Sequence, residues 1–227
     1  MKVLTWNCNM SLRKDFEAIK DSGADIIFIQ ECEELPQDYF PGYEYHWVGN
    51  KSNKGMAVLT KGSSTFEKDI YRDDFIYFIP ISFNGQAVIG TWAFNGRAKK
   101  FGDEMSGYFL EVLAHYRDWI NQSREVVIAG DFNNGPQWDK PKHPNNFVDI
   151  NEELNRLGLI SSYHEHTGEK FGSELQHTYF HHRHADKKYH IDYIYSKNKS
   201  VESVEVGKFQ DWSHLSDHVP LITTFAK

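Results

Sequence analysis

The sequence predicts an α/β protein in which two β-sheets pack face to face, with helices on the outside. Short apolar runs typical of strands mix with helical patterns, but without the regular strand–helix–strand alternation of a single parallel sheet. Several runs are apolar throughout, as in strands covered on both faces. These two observations favour two packed sheets. No Pro/Gly-rich linker divides the 227 residues, so we expect one catalytic domain over residues 1–227, although length alone also allows two small domains.

The N-terminal part of the chain predicts three strands and a helix. Residues 2–6 form a short apolar run that predicts a strand. Residues 11–20 have helical spacing, with Ser11 as the N-cap. Residues 25–30 and 55–60 are continuous apolar runs and predict strands buried on both faces.

The middle of the chain predicts a hairpin, a long helix and a buried strand. Residues 76–83 predict a strand that ends at an Asn-Gly pair, which is a strong hairpin signal. Residues 86–94 supply the second strand of this hairpin. Residues 101–122 have apolar side chains at helical spacing, and residues 125–129 predict another buried strand.

The C-terminal part predicts one helix and three strands. Residues 150–157 have helical spacing, and Gly158 follows at the position where a glycine commonly ends a helix. Residues 190–195, 201–207 and 221–225 are short runs rich in Val, Ile, Leu and Tyr, so they predict strands.

Composition limits the function classes. The net charge is −7, whereas proteins that hold long duplex DNA by its backbone are usually basic. Short, single-stranded or small phosphorylated substrates are therefore favoured. The two cysteines, Cys8 and Cys32, follow apolar runs and are interpreted as reduced, buried thiols, without the spacing of a zinc site. The N-terminus lacks a signal core and the sequence has no spanning segment, so we expect a soluble, cytoplasmic protein without a membrane partner. We also expect a monomer.

Five short polar motifs lie beside the ends of apolar runs. They are Trp6-Asn7-Cys8-Asn9, Gln30-Glu31, Gly130-Asp131-Phe132-Asn133-Asn134, His190-Ile191-Asp192-Tyr193 and Ser216-Asp217-His218-Val219-Pro220. A fold that brings strand ends together would gather their carboxylates, amides and histidine in one cleft. Carboxylates this close repel one another, and a divalent cation removes the repulsion. Oxygen ligands suit Mg²⁺ or Mn²⁺, so the motifs indicate metal-dependent hydrolysis of phosphate esters.

In this order, the five motifs resemble the endonuclease/exonuclease/phosphatase superfamily. The superfamily includes DNase I-like nucleases, exonuclease III-like abasic-site endonucleases and inositol polyphosphate 5-phosphatases. Each motif alone is weak, but the five together span nearly the whole chain. The resemblance implies a four-layer α/β sandwich, in which two mixed β-sheets pack face to face with helices on both outer faces.

The resemblance also implies roles for individual residues. Glu31 matches the main metal ligand, and Asn7 and Asp217 match supporting ligands, although Glu31 could otherwise be a solvated strand end. Asp131 matches the carboxylate that activates or orients the attacking water. Asn133 matches the amide that holds a non-bridging phosphate oxygen. The alternative for this Gly-Asp-Phe-Asn motif is an ordinary Asx turn.

A histidine and a carboxylate form a second catalytic pair in this resemblance. His218 matches the histidine that contacts the scissile phosphate, and Asp192 matches the acid that orients it. A carboxylate bound to histidine raises the histidine pKa and so keeps a positive charge near the phosphate. Asn9 has a weaker claim to substrate binding, since it could simply cap the turn that follows.

One segment departs from the family pattern. The family usually has Thr-His here, or Tyr-x-Pro-Asn in abasic-site endonucleases, whereas this chain has Thr91-Trp92 followed by Asn95. Trp92 cannot accept a proton or bind a metal, but it can donate its N–H or stack on a base or sugar. Asn95 fits the later Asn of the pattern and is a candidate phosphate contact. This departure weakens the abasic-site assignment.

Two further features are candidates for substrate binding. Trp138 follows the Asp-x-Asn motif and either stacks on a base or packs at the rim of the cleft. A His-rich stretch comprises His177, His181, His182, His184 and His190. Three interpretations of this stretch are open: a solvated loop, a zinc site, or a loop that binds substrate phosphates. Family members often have Arg where His190 stands, so His190 is a candidate replacement.

The sequence therefore predicts a hydrolase that depends on Mg²⁺ or Mn²⁺ and cleaves phosphodiesters of DNA, RNA or a small nucleotide. The first alternative is a phosphomonoesterase acting on a small phosphorylated metabolite, because its reaction centre would look the same. The second is a catalytically inactive binding module, which would have lost Glu31, Asp131 or His218, yet all three are present. The shape of the cleft rim distinguishes a polymer substrate from a small one.

Overall fold

The computed structural model describes residues 1–75, 77–94 and 109–226. The strands, in chain order, are β1 (Lys2–Asn7), β2 (Ile26–Cys32), β3 (Glu44–Lys51), β4 (Lys54–Thr60), β5 (Ser64–Phe66), β6 (Phe78–Phe83), β7 (Gln86–Trp92), β8 (Val126–Asp131), β9 (Ile160–Ser161), β10 (Tyr179–Phe180), β11 (Lys188–Tyr189), β12 (Asp192–Lys197), β13 (Val201–Val206) and β14 (Leu221–Phe225). The helices are α1 (Leu12–Asp15), α2 (Glu17–Lys20), α3 (Phe109–Gln122), α4 (Phe147–Arg156), α5 (Ser162–Thr167) and α6 (Phe209–Trp212).

Two six-stranded mixed sheets form the centre of the protein. The first has the order β13-β14-β1-β2-β4-β3, and the second has the order β5-β6-β7-β8-β12-β9. Within each sheet one central pair is parallel, β1 with β2 and β7 with β8, and the neighbouring pairs are antiparallel. Strands β10 and β11 form a separate short hairpin.

Alternating side chains on the central strands build three apolar cores. On β1, Val3 faces the core between the sheets, while its neighbour Leu4 packs beneath α1 and α2. The core between the sheets combines residues of both, among them Phe28 of β2 and Val88 of β7. The third core packs α3 and α4 on the second sheet. The predicted sandwich of helix, sheet, sheet and helix layers is thereby confirmed.

Two predicted helices have different bounds from those expected. The helix predicted over residues 11–20 is divided into α1 and α2, and the Ser11 side chain makes no capping hydrogen bond. The Glu33 carboxylate instead accepts the N–H groups of Leu12 at 3.1 Å and Arg13 at 2.9 Å. A residue distant in sequence thus satisfies the free donors of the first turn. Helix α4 begins at Phe147, earlier than predicted.

Strands β3 and β5 were not predicted from the sequence. Strand β3 has no continuous apolar run, because most of its side chains are only half-buried at the edge of the first sheet. Strand β5 has only three residues, too few for periodicity to show. The predicted hairpin turn is confirmed, since Asn84 and Gly85 both have the positive φ that a two-residue turn needs. No helix in the described part of the chain is both long and apolar enough to cross a membrane.

Gly130 allows β8 to approach β7 closely. Its φ is +150°, and a Cβ at this position would lie 1.7 Å from the backbone oxygen of Thr91. We expect Gly130→Ala to destabilise the protein by about 3 kcal/mol, because backbone atoms have to move to remove the overlap. Chemical denaturation measures the loss. Gly62→Ala is the matched control, since φ there is +113° but no atom lies within 4 Å of the added Cβ. Equal losses in the two variants would contradict this explanation.

Candidate active site

Two buried aspartates face each other across neighbouring strands of the second sheet. Asp131 is the last residue of β8, Asp192 is the first residue of β12, and the two are antiparallel partners. Both side chains are buried. The Thr178 hydroxyl oxygen accepts the N–H of Asp192 at 3.1 Å and fixes the start of β12. Strand pairing therefore brings together two motifs that lie far apart in the sequence.

Asn7, at the end of β1 in the first sheet, connects two carboxylates. Its side-chain NH₂ donates to Asp131 Oδ2 at 3.0 Å and lies 3.4 Å from Glu31 Oε1. Its side-chain oxygen accepts the N–H of Asn9 at 3.0 Å. Asn7 is thus placed to orient both carboxylates, while its predicted role as a direct metal ligand stays a prediction. Asn9 enters this network through its backbone.

Asn133 holds the Asp131 carboxylate from the other side. Its backbone N–H donates to Asp131 Oδ1 at 2.8 Å, as in an Asx turn. Its side-chain NH₂ lies 3.0 Å from Asp131 Oδ2 and 3.0 Å from the backbone oxygen of Ala93. The turn proposed as an alternative to a catalytic motif is therefore present, and it also orients Asp131.

Four residues at the site have left-handed backbone conformations. The φ values are 48° for Asn9, 62° for Met10, 54° for Glu31 and 46° for Asn133. At Glu31 the cause is a β-bulge, because the pairing of β2 with β4 shifts register between Gln30 and Cys32. This conformation costs energy in non-glycine residues and concentrates at functional sites. The bulge interrupts the alternation of side chains along β2, so the Glu31 side chain does not follow the direction that a regular strand would give it.

His218 and Asp192 form a hydrogen-bonded pair. His218 Nδ1 donates to Asp192 Oδ2 at 2.9 Å, while His218 Nε2 lies 3.9 Å from Asp131 Oδ2. Burial alone would lower the pKa of His218, but the charge and hydrogen bond of Asp192 outweigh burial and raise this pKa to about 10. The charges of Asp131 and Asp217 act in the same direction. His218 is therefore a cation at neutral pH.

Burial also disfavours the charge on Asp131. Desolvation raises the pKa of Asp131 well above its usual range, and the nearby Asp192 raises it further. One ligand-capable atom each from Asp131, Asp192 and His218 lies within 4.8 Å of the others. The three side chains therefore lie close enough for the charge of each to act on the others.

Lys54 is a member of the site that was not predicted from the sequence. Its ammonium lies 3.1 Å from Glu31 Oε2 and 5.1 Å from the centre of the Trp92 ring. Lys54 opens β4, which pairs with β2 next to the bulge at Glu31. Placing the predicted strands 25–30 and 55–60 side by side would have revealed this proximity, but neither motif nor composition indicates it.

An aromatic pocket of about 480 Å³ opens beside Asn133. Its lining consists of Asn133, Trp138, Lys140, Tyr179, His181, Tyr189 and Ile191. The ring centres of Trp138 and Tyr189 are 4.9 Å apart, and those of Tyr179 and His218 are 4.6 Å apart. Trp138 thus combines the two predicted alternatives, because it packs on a neighbouring ring and also lines a pocket. The aromatic residues of the β10–β11 hairpin were not predicted as site residues.

The other predicted substrate contacts have different surroundings. Trp92 is buried against Tyr77 and Phe94. His190 is also buried, and burial lowers its pKa to about 4, so it is neutral at pH 7. Its Nδ1 donates to the backbone oxygen of Gln176 at 3.0 Å. A neutral, buried imidazole lacks the charge of an arginine, and the predicted role of His190 in substrate binding stays a prediction. Asn95 lies outside the described residues.

The remaining histidines of the His-rich stretch do not form a zinc site within the described residues, where the cluster of Asp131, Asp192 and His218 is the one group with metal-ligand spacing. His182 and His184 are exposed, as the loop interpretation expects. His181 Nδ1 is 2.8 Å from the Tyr179 hydroxyl. His181 therefore belongs to the aromatic pocket, while the loop itself is solvated.

Asp217 lies next to the pair in sequence. Its backbone oxygen accepts the N–H of Phe180 at 2.7 Å, which fixes the segment before β14 against β10. Its charge helps to raise the pKa of both His218 and Tyr179, so its carboxylate contributes to the negative potential of the cleft. Its predicted role as a metal ligand stays a prediction.

Comparison with known proteins gives a family and a set of similar folds. The model of the Endonuclease/Exonuclease/phosphatase family matches residues 4–218. The 3′ phosphatase NExo from Neisseria, solved with a product DNA hairpin, has a TM-score of 0.76 at 24% identity, with 100% of each chain covered.

Two further solved structures are similar over 100% of each chain. The 3′-5′ exonuclease NExo from Neisseria meningitidis has a TM-score of 0.75 at 25% identity. An AP endonuclease from Archaeoglobus fulgidus has a TM-score of 0.72 at 19% identity. Comparison with curated proteins finds no significant match.

Proposed function

Because the chain belongs to the Endonuclease/Exonuclease/phosphatase family, we propose that it is a divalent-metal-dependent hydrolase of phosphate esters in nucleic acids or nucleotides. The observation that carries this proposal is the convergence of Asp131, Asp192 and His218 with Asn7 and Glu31. Their side chains come from both sheets and meet through hydrogen bonds of 2.9 Å for Asp192–His218 and 3.0 Å for Asn7–Asp131. An inactive binding module would not need this cluster of ionisable and amide groups, most of them buried.

The residues around Glu31 fit a Mg²⁺ or Mn²⁺ ion. Its carboxylate supplies oxygen ligands, the type that these hard cations prefer, and the Asn7 amide lies beside it. The Glu31 side chain is 23% exposed, so an ion can reach its carboxylate, which now pairs with the Lys54 ammonium at 3.1 Å. Glu31 would hold the metal, with Asn7 and Asp217 in support. A bound divalent ion would supply electrostatic stabilisation of negative charge on the phosphate oxygens.

A cation among Asp131, Asp192 and His218 is less favourable. Their spacing would admit a metal, but His218 is itself a cation that would repel one. Its hydrogen bond to Asp192 already neutralises this part of the cleft. We therefore assign these three residues to proton handling and phosphate contact, and we assign the metal to Glu31.

The other site residues would orient the water and neutralise the phosphate. Asp131 is held on both oxygens by Asn7 and Asn133, so its carboxylate is fixed for accepting a hydrogen bond from the attacking water. His218 Nδ1 is bound to Asp192, so its Nε2, which lies 3.9 Å from Asp131 Oδ2, would donate to a phosphate oxygen. Phosphoryl transfer needs mainly this alignment and charge neutralisation.

The aromatic pocket supports a substrate with a nucleoside beside the scissile phosphate. Its volume of about 480 Å³ lies within the range of roughly 300–1,000 Å³ typical of ligand sites. Trp138, Tyr179 and Tyr189 offer ring faces on which a base can stack. Removal of a terminal 3′ phosphate is a second candidate activity, favoured by the phosphatase among the similar structures.

A substrate panel tests the proposed function. The protein is incubated with Mg²⁺ or Mn²⁺ and single-stranded DNA, duplex DNA, abasic duplex, RNA, 3′-phosphorylated DNA and phosphorylated metabolites. We expect cleavage of one or more nucleic acid substrates, and product lengths distinguish exonuclease, endonuclease and 3′-phosphatase action. Hydrolysis confined to metabolites would contradict a nucleic acid substrate. Absence of hydrolysis with every substrate would contradict the proposed enzyme.

Metal dependence gives a separate prediction. We expect EDTA to abolish hydrolysis and excess Mg²⁺ or Mn²⁺ to restore it. Glu31→Gln should weaken Mn²⁺ binding about tenfold or more, because one anionic ligand becomes neutral. Electron paramagnetic resonance of free Mn²⁺ measures this without a substrate. Glu205→Gln is the control, since this exposed residue of β13 is not part of the site. Full activity in chelated samples would end the metal hypothesis.

A further inference from the structure

The short β10–β11 hairpin has a groove of about 370 Å³ on one of its faces. In a two-stranded hairpin, paired residues share a face and consecutive residues face opposite sides. The pair Tyr179–Tyr189 lines the aromatic pocket, whereas the next pair, Phe180–Lys188, lines this groove. We call it the hairpin groove. The hairpin therefore separates it from the reaction centre.

An apolar surface lies inside the hairpin groove. Phe180 packs on Phe209 of α6, with their ring centres 4.7 Å apart. Leu175 also lines the groove and is 80% exposed, more than any other large apolar side chain in the described part of the protein. A concave apolar surface with such an exposed side chain is typical of a site that binds another molecule.

Two lysines add positive charge to the hairpin groove. Lys188 belongs to β11 and Lys208 directly precedes α6, and both side chains are exposed. Neither ammonium forms an ion pair with a described residue. The other described lining residues carry amide, imidazole or apolar groups, and none is acidic. In a chain with a net charge of −7, this local positive charge favours an anionic partner.

The apolar surface favours a peptide over a nucleic acid strand as that partner. Single strands of nucleic acid stack their bases on exposed aromatic rings. Phe180 is only 7% exposed, and Phe209 covers part of its ring. Leu175 has no ring on which a base can stack, but it can pack against an apolar side chain of a peptide. The groove also lies on the other side of the hairpin from the aromatic pocket.

We propose that the hairpin groove binds an acidic peptide segment of a partner protein, in which one or two apolar side chains are flanked by carboxylates. The apolar side chains pack on Phe180, Phe209 and Leu175, and the carboxylates pair with Lys188 and Lys208. A volume of about 370 Å³ suits a few side chains of such a segment. The groove contributes no residue to the proposed reaction, so partner binding here is a function additional to hydrolysis.

A panel of labelled hexapeptides tests the docking site by fluorescence anisotropy. The acidic–apolar set has Asp or Glu at the four outer positions and Leu, Phe or Trp at the two central positions. One control set has Lys at the outer positions, and the other has Ser at the central positions. We expect at least one acidic–apolar peptide to bind with a Kd of about 100 µM or lower, and both control sets to bind at least about tenfold more weakly. Failure of every acidic–apolar peptide to bind would overturn the proposal.

A substitution at Leu175 locates the apolar part of the bound peptide. Leu175→Ser should weaken binding about fivefold, because it removes an apolar contact at an exposed position that the core does not need. Ile160→Ser is the matched control. Ile160 is 49% exposed on β9 and pairs with Ser196, near the end of β12 that lies away from the reaction centre.

The lysines are tested by their effect on salt dependence. Lys188→Met combined with Lys208→Met should weaken peptide binding about fivefold at low salt and make it less dependent on salt. Lys61→Met combined with Lys68→Met is the matched control, since these exposed residues follow β4 and β5. Groove variants that bind the peptide as tightly as their controls would show that it binds elsewhere, and the proposal would be wrong.

Two further measurements distinguish other occupants of the groove. A single-stranded DNA hexamer in EDTA, added in large excess, should leave the peptide bound. Displacement of the peptide, with weaker DNA binding in the double lysine variant, would assign the groove to nucleic acid and overturn the proposal. In analytical ultracentrifugation, self-association that is lost in Leu175→Ser would assign the groove to a second copy of the chain, with the same consequence.

Discussion

Asp131→Asn should lower kcat by about 10²- to 10⁴-fold, the usual contribution of a positioned acid or base. The replacement keeps the side-chain shape but removes a carboxyl oxygen that would accept a hydrogen bond from the attacking water. It also replaces one acceptor oxygen with an NH₂ group that faces the donors of Asn7 or Asn133. We therefore expect a loss of stability of about 1–3 kcal/mol beside the catalytic loss.

Single-turnover kinetics and thermal unfolding separate these two effects. Asp118→Asn is the matched control, because it makes the same chemical change at an exposed residue of α3, away from the site. Assays are made at a temperature at which both variants are fully folded. Wild-type kcat in Asp131→Asn would remove this carboxylate from the mechanism. A loss confined to stability would leave Asp131 with only a structural role.

His218→Ala and Asp192→Ala should each lower the rate by about 10²- to 10³-fold, the magnitude typical of a lost electrostatic contact in the transition state. Because the two side chains share a hydrogen bond of 2.9 Å, we expect them to act as one unit. The double variant should then be scarcely slower than the slower single variant. Additive losses in this cycle would show that the two residues contribute independently.

The pH profile gives a readout that a structural role would not produce. Asp192 is the main reason why the pKa of His218 is raised, to about 10, against the effect of burial. His218 is charged below this pKa, so the rate should fall as the pH rises through about 10. In Asp192→Asn the charge that favours the imidazolium is lost, and the alkaline fall should move to lower pH. An unchanged alkaline limb in this variant would contradict the pairing.

The strand ends were predictable from the sequence because buried strands leave a strong local signal. Asp131, Asp192 and Glu31 each follow or begin an apolar run, and the structure places them at the ends of β8, β12 and β2. Their mutual pairing was not predictable, since strand register depends on contacts between distant segments. The Asn7–Asp131 hydrogen bond was also not predictable, because it joins two different sheets.

The elements missed from the sequence lack an apolar pattern for a physical reason. Edge strand β3 exposes part of most side chains, so its composition stays mixed. Lys54 approaches Glu31 only because β2 and β4 pair around a bulge, and no local motif encodes that contact. The burial of His190 was also unpredictable, since the surrounding His-rich segment is polar and its other members include exposed side chains.

The reaction centre lies on the seam between two stacked layers. Asn7 belongs to the first sheet and bonds Asp131 of the second, while His218, just before β14 of the first sheet, bonds Asp192 of the second. A small slip of one sheet over the other would change both distances at once. The rate of hydrolysis should therefore depend strongly on how the two sheets pack against each other. Substitutions in the core between the sheets, for example at Phe28 or Val88, would lower activity although neither residue is part of the catalytic site.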